Sequence, residues 1–134
     1  MPNYTIVNLR EVEDAAKKYG MPPGLESRFA REPLKLSKQG LSLFTLAPGY
    51  RLPFGHRHGE QEEVYVVVEG GGRVKLDDDV AEIRRFDAIR VAPGVARAFE
   101  AGPDGLAVIA IGAHALAPDD RGDVLPDWWT DHET

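Results

Sequence analysis

The chain has no cysteine. Disulfides, thiolate metal ligands and cysteine nucleophiles are therefore excluded. It also has no excess of basic charge. Its 16 Lys and Arg stand against 22 Asp and Glu, a net charge of −6, so it offers no electropositive groove for a nucleic acid. No apolar run approaches the roughly 20 residues that span a bilayer. No apolar core follows a basic start, as it would in a secretory leader. Neither nucleic acid nor membrane is expected as a partner, and a cytoplasmic location is expected. Histidine is scarce, with four in 134 residues, yet His56 and His58 stand one residue apart.

What is present is ordinary for a soluble domain: 43% hydrophobic and 28% charged residues, in a length that suits one domain with its own core. Residues 8–19 carry Leu9, Val12, Ala15, Ala16 and Tyr19 at helical spacing, which predicts an amphipathic helix. Asn8 with Glu11 resembles a capping pair, and Gly20 before Pro22-Pro23 is a stop signal. Residues 24–31 read as a further helical turn. From Leu34 to Ile111 the pattern becomes short strands with turn punctuation. The expected strands are 34–37, 41–47, 50–53, 63–69, 72–77, 80–84, 88–92, 95–100 and 105–112. Strands of this length and spacing argue for an antiparallel sandwich or closed barrel. The tail is polar and proline-rich up to Trp128-Trp129, a pair too apolar to leave in water. It is expected to pack on the barrel or on a partner subunit.

On a strand, alternate side chains share a face, so His56 and His58 aim together. Glu63 follows them. Two imidazoles and a carboxylate converging on one point form a metal-site vocabulary. Asp77-Asp78-Asp79 lacks the spacing of a calcium loop and reads as a solvated turn. Gly70-Gly71-Gly72 lacks the following helix and lysine of a phosphate loop.

Gly49, His56-Arg57-His58, Glu63 and Gly70 resemble the first motif of the cupin superfamily: glycine, His-x-His, glutamate, then glycine after a strand. The His58–Glu63 and Glu63–Gly70 intervals fit that motif. The Gly49–His56 interval is one residue longer than usual. Glu62 is an alternative to Glu63, which the interval to Gly70 favours. The stretch Phe86-Asp87 to Arg97 resembles the second motif, with three departures. Phe86 stands where glycine is common, Ala92 stands where the first proline would be, and Arg97 takes the place of the histidine. The resemblance covers roughly residues 40–112. It implies an all-β fold, a double-stranded β-helix (cupin or jelly-roll barrel) with a short N-terminal helix. The expected divisions are a helical arm at 1–33, a barrel at 34–114 and a tail at 115–134. It also implies a small-molecule ligand and a homodimer.

In cupins with the full set, three His and one Glu bind a divalent transition metal. Arginine stays protonated and has no lone pair to donate, and three readings follow. In the first, His56, His58 and Glu63 hold a metal (Fe, Mn, Ni or Zn) with open positions. Arg97 then clamps an anionic, oxygenated substrate beside it. In the second, Arg97 pairs with Glu63 in place of the metal, no cofactor is needed, and the barrel is a non-catalytic binding or sensing domain. In the third, Arg97 points away and the motif serves the fold. Dioxygenase, isomerase and decarboxylase chemistries all occur on this fold, and fold does not choose among them; whether the chain is an enzyme stays open. Tyr65 and Val67 share the face of Glu63, and Phe99 shares that of Arg97. Tyr65, Phe99 and Gln61 join Arg97 as candidate ligand-binding residues, and Phe44 and Phe54 as candidates at the mouth. An apolar barrel lined by Tyr65, Val67, Val95 and Phe99 would serve the binding-domain reading.

Overall fold

Two long stretches, one rich in valine and one rich in alanine, organise the molecule. In the computed structural model, residues 3–18, 20–21, 23–113, 123–126 and 128–129 are described. The strands expected at 63–69 and 72–77 form one strand, β4 (Glu63–Leu76). Those expected at 95–100 and 105–112 form β7 (Arg97–Ala113). They pair antiparallel along their length, from Glu63↔Gly112 to Leu76↔Arg97. The register shifts between Val67 and Glu69 and again between Gly70 and Gly72. Such bulges bend a ribbon instead of ending it. Glycine is required here by close approach: a Cβ on Gly70 would lie 2.0 Å from the Gly105 carbonyl oxygen, and one on Gly72 would lie 2.0 Å from that of Glu100. The glycine cluster that reads as a turn is therefore the place where two strands cross and fold over together.

The remaining strands complete an eight-stranded antiparallel sheet among the described residues. They are β1 (Leu25–Phe29), β2 (Gln39–Leu46), β3 (Gly55–Arg57), β5 (Asp79–Arg84), β6 (Ala88–Val91) and β8 (Asp123–Leu125). The order β1-β2-β7-β3-β8 runs along one side, while β5 and β6 pair with β4. The expected strand at 50–53 is reduced to one bridge, Arg51↔Glu100. The core joins the inward faces of β4 and β7, including Tyr65, Val67, Phe99, Leu106 and Val108. This is the all-β jelly-roll barrel that the resemblance implies.

The first third departs from its expected helices. Asn8 caps a 3-10 turn, Leu9–Glu11, by accepting the Arg10 N–H at 2.9 Å. Val12 is then extended, and only Ala15–Lys18 (α1) is α-helical; Tyr19 lies outside the described residues. The break has a tertiary cause. Val12 is buried, Arg28 donates to its carbonyl, and Asp14 accepts N–H bonds from both Ala16 and Ser27. The helical turn expected at 24–31 is instead β1, paired with β2 from Leu25↔Leu46 to Phe29↔Ser42. The strand expected at 34–37 gives way to a short helix, α2 (Arg31–Leu34), closed by Lys35 in the left-handed region. Both errors have one source: long-range pairing and capping overrode weak local preferences. Among the described residues no helix is long and apolar enough to cross a membrane.

Candidate metal centre and ligand cavity

Glu63 opens β4 and Arg97 opens β7, and in register they lie at opposite ends of the β4–β7 ribbon. The ribbon curls until those ends meet, and Arg97 Nη2 donates to Glu63 Oε1 as an ion pair. Tyr65, two residues along the same face, donates its hydroxyl to the same oxygen at 2.7 Å. Arg97 is 0% exposed. Its Nε donates to the Tyr65 hydroxyl oxygen at 3.1 Å and its Nη1 to the Val95 carbonyl at 3.0 Å. The guanidinium thus points into the barrel with all three nitrogens engaged. Burial opposes its charge, but Tyr65 and Glu63 outweigh burial and hold its pKa above the usual arginine value.

His56 comes from the three-residue strand β3, opposite Arg97. His58 lies just beyond it, with the two rings 5.6 Å apart and near perpendicular. His58 Nε2 is 3.9 Å from Glu63 Oε1. Burial, then Arg97 and His58, depress the His56 pKa to about 4 against the opposing pull of Glu63. Its imidazole is therefore neutral at physiological pH, the form in which it donates a lone pair. Burial, reinforced by Glu63, pushes the Tyr65 hydroxyl well above its usual range, so Tyr65 remains a donor.

One donor atom each from His56, His58 and Glu63 lie within 4.8 Å of one another. His58 Nδ1 is buried and has no hydrogen-bond partner among the described residues. Two imidazoles, one of them neutral, and a carboxylate are a donor set that fits a divalent transition ion, with Arg97 supplying no ligand where a fourth would stand.

Beside this cluster lies a cavity of about 190 Å³. Its wall includes Leu25, Phe44, Leu46, Leu52, Phe54 and Phe99, and its polar members are Ser27, His56 and Tyr65. The Tyr65 ring packs on Phe99 at 5.0 Å between centroids. Tyr65 thus has its ring on the cavity and its hydroxyl in the charged cluster. His58, Glu63 and Arg97 are not on the cavity wall. Gln61 is also elsewhere, donating to the Ala113 carbonyl at 2.6 Å. Of the apolar wall suggested by sequence, Tyr65 and Phe99 line the cavity, whereas Val67 is sealed in the core and Val95 packs against that core.

Little in the residue pattern announces what holds His56. Strand β3 meets β7 at one register position but meets β8 at three: Gly55↔Leu125, His56↔Val124 and Arg57↔Asp123. Trp128 lies over Gly55, where an added Cβ would come within 2.7 Å of its ring. Buried Lys75 sits 4.1 Å from the centre of that ring and donates to the Trp128 carbonyl at 2.5 Å. Trp129 donates its indole N–H to the Leu52 carbonyl at 2.8 Å, and Arg51 stacks on its ring at 4.5 Å. The glycine before His56 and the tryptophan pair were the available signals.

The profile of the cupin domain matches residues 42–111, just over half of the chain. No curated protein matches the sequence. Among solved structures, a cupin protein from Bacteroides fragilis is similar at 23% identity and TM-score 0.69, over 89% of this chain and 91% of that one. A sugar phosphate isomerase of the cupin superfamily from Silicibacter pomeroyi is similar at 21% identity and TM-score 0.68, over 82% and 76%. An oxalate decarboxylase from Bacillus subtilis is similar at 14% identity and TM-score 0.71, over 92% of this chain and 33% of that one. At these identities the likeness is one of fold, and it agrees with the profile: the chain belongs to the cupin family.

Proposed function

We propose that the protein is a small-molecule-binding cupin built around a divalent transition metal held by His56, His58 and Glu63. The observation that carries this reading is the convergence of one donor atom each from those three residues within 4.8 Å. Two imidazoles and one carboxylate with open positions suit Fe, Mn, Ni or Zn. Such an ion would polarise an oxygen of a bound molecule. The chain's own residues do the rest. Arg97 and Tyr65 fix the Glu63 carboxylate by donating to one oxygen. The β3 strand presents a neutral His56. In this arrangement Arg97 positions Glu63 and is not an open clamp for an anion, because Glu63, Tyr65 and the Val95 carbonyl occupy its nitrogens. The test is calorimetric titration of metal-stripped protein with Zn(II) and Mn(II). The reading expects one binding event per chain, weakened at least about tenfold in His58→Ala.

The Arg97–Glu63 pair, with its arginine completely buried, favours a second reading, a metal-free binding barrel. A dication beside the guanidinium would leave one carboxylate to balance both charges. Arg97→His separates the two. It supplies a fourth donor and tightens binding that the parent already shows in the first reading, whereas in the second the parent binds no ion and any binding appears only in the variant.

A further inference from the structure

We infer that the cavity beside the metal centre takes a neutral, single-ring aromatic molecule with one hydrogen-bonding group directed at His56. Four aromatic side chains, Phe44, Phe54, Tyr65 and Phe99, face the space, and aliphatic groups fill most of the remaining wall. The volume of about 190 Å³ is near that of cavities known to hold one benzene ring and below the range for drug-sized ligands. Among the described residues no charged side chain lines it. Glu63 and Arg97 neutralise each other behind Tyr65, and each Arg97 guanidinium nitrogen already makes a hydrogen bond within the protein. A carboxylate or phosphate entering this space would lose its hydration without gaining a protein counter-charge. The wall is almost wholly apolar, which leaves room for one small polar group on the ligand, and His56 and Ser27 are the wall residues that could meet it. Other hollows formed by the described residues differ in character. They reach about 600 Å³ but are lined by charged residues such as Glu13, Lys18, Arg31 and Glu32, or by Gly71 and Asp104, away from His56.

The inference goes beyond the metal reading, because the cavity shares only His56 with the proposed ligand set. It is tested by calorimetry or ligand-detected NMR with p-cresol, toluene and benzoate, on both metal-stripped and Zn-loaded protein. The expected result is p-cresol binding at roughly 0.1–1 mM, as about eight heavy atoms allow. Toluene should bind several-fold more weakly, and benzoate roughly tenfold more weakly or worse. Leu52→Trp, which fills the cavity from its wall, should abolish p-cresol binding. Ser27→Val, a smaller change at another wall residue, should weaken it if Leu52→Trp does not fold. Benzoate binding as tightly as p-cresol overturns the inference. So does the absence of p-cresol binding, or p-cresol binding that survives both wall variants. Binding of p-cresol only when Zn is present also overturns it. Failure of Zn to bind, with p-cresol still bound, would count against the metal reading alone.

Discussion

The two halves of the candidate centre are held in different ways. Glu63, Tyr65 and Arg97 stand on β4 and β7, which pair along most of their length and meet again through a buried ion pair. His56 stands on a strand of three residues, pinned mainly by β8 and Trp128. The first half is built into the fold, and damage to it should appear as lost stability. The second half is clasped from outside, and damage to it should appear in ligand affinity out of proportion to stability. The same sheet can thus fix one donor by its architecture and another by a segment added at its end.

Arg97→Leu should give the largest effect, because it leaves Glu63 partly buried beside an unbalanced site. A loss of about 3–5 kcal/mol in urea unfolding is expected, and the double change Arg97→Leu/Glu63→Leu should recover part of it. Full tolerance of Arg97→Leu would break the contrast at its rigid end. Trp128→Ala should cost about 2 kcal/mol of stability. Its diagnostic result is metal affinity at a temperature where the variant is fully folded: a drop of tenfold or more is expected, and unchanged affinity would mean that the clasp does not position His56.

Asp14 sharpens the contrast from the wall formed by β1. Burial alone would raise its pKa, but N–H bonds from Ser27, Ala16 and Lys17, with Arg28 nearby, bring it below the ordinary carboxylate value of 3.8. A depressed carboxyl stabilises the fold above its unfolded pKa, and the stabilisation is lost as pH falls through the folded value. Asp14→Ala should therefore cost about 1 kcal/mol at pH 7, and the difference from the parent should shrink below about pH 3.8. Equal unfolding curves at pH 7 would remove Asp14 as an anchor. Phe86 supplies the smallest effect and a control. It is 72% exposed and left-handed, with φ 74°, at the site where the resemblance puts glycine. Phe86→Gly should raise stability by about 0.5–1 kcal/mol with metal affinity unchanged. A change in affinity there would show that stability and site are coupled everywhere, dissolving the distinction between the halves.

The rigid half was largely legible in the sequence, and the clasp was not. Glu63, Tyr65 and Val67 alternate on one strand, and the motif spacing marks His56 and His58 as their partners. Arg97 was identifiable as the replacement for a histidine, but its direction was not. That direction depends on the ribbon curling until Glu63, opposite Gly112, reaches a residue opposite Leu76. Gly70–Gly72 looked like a turn, because a sequence does not reveal that Gly105 and Glu100 press against those positions. Strand β1 has no clear apolar alternation and exists through its pairing with β2. Strands β3 and β8 are three residues each, too short for periodicity to register. Gln61 read as a candidate ligand-binding residue, but it ties the start of β4 to the end of β7 through the Ala113 carbonyl.

The most direct test of the central claim is elemental analysis of protein purified without a nickel column, then re-equilibrated with Fe(II), Mn(II), Ni(II) or Zn(II). The metal reading predicts about one ion per chain, lost in His56→Ala while the fold is retained. A parent protein that holds no ion above the level of His56→Ala, under every metal offered, would contradict it and leave the Arg97–Glu63 pair as the occupant of the site.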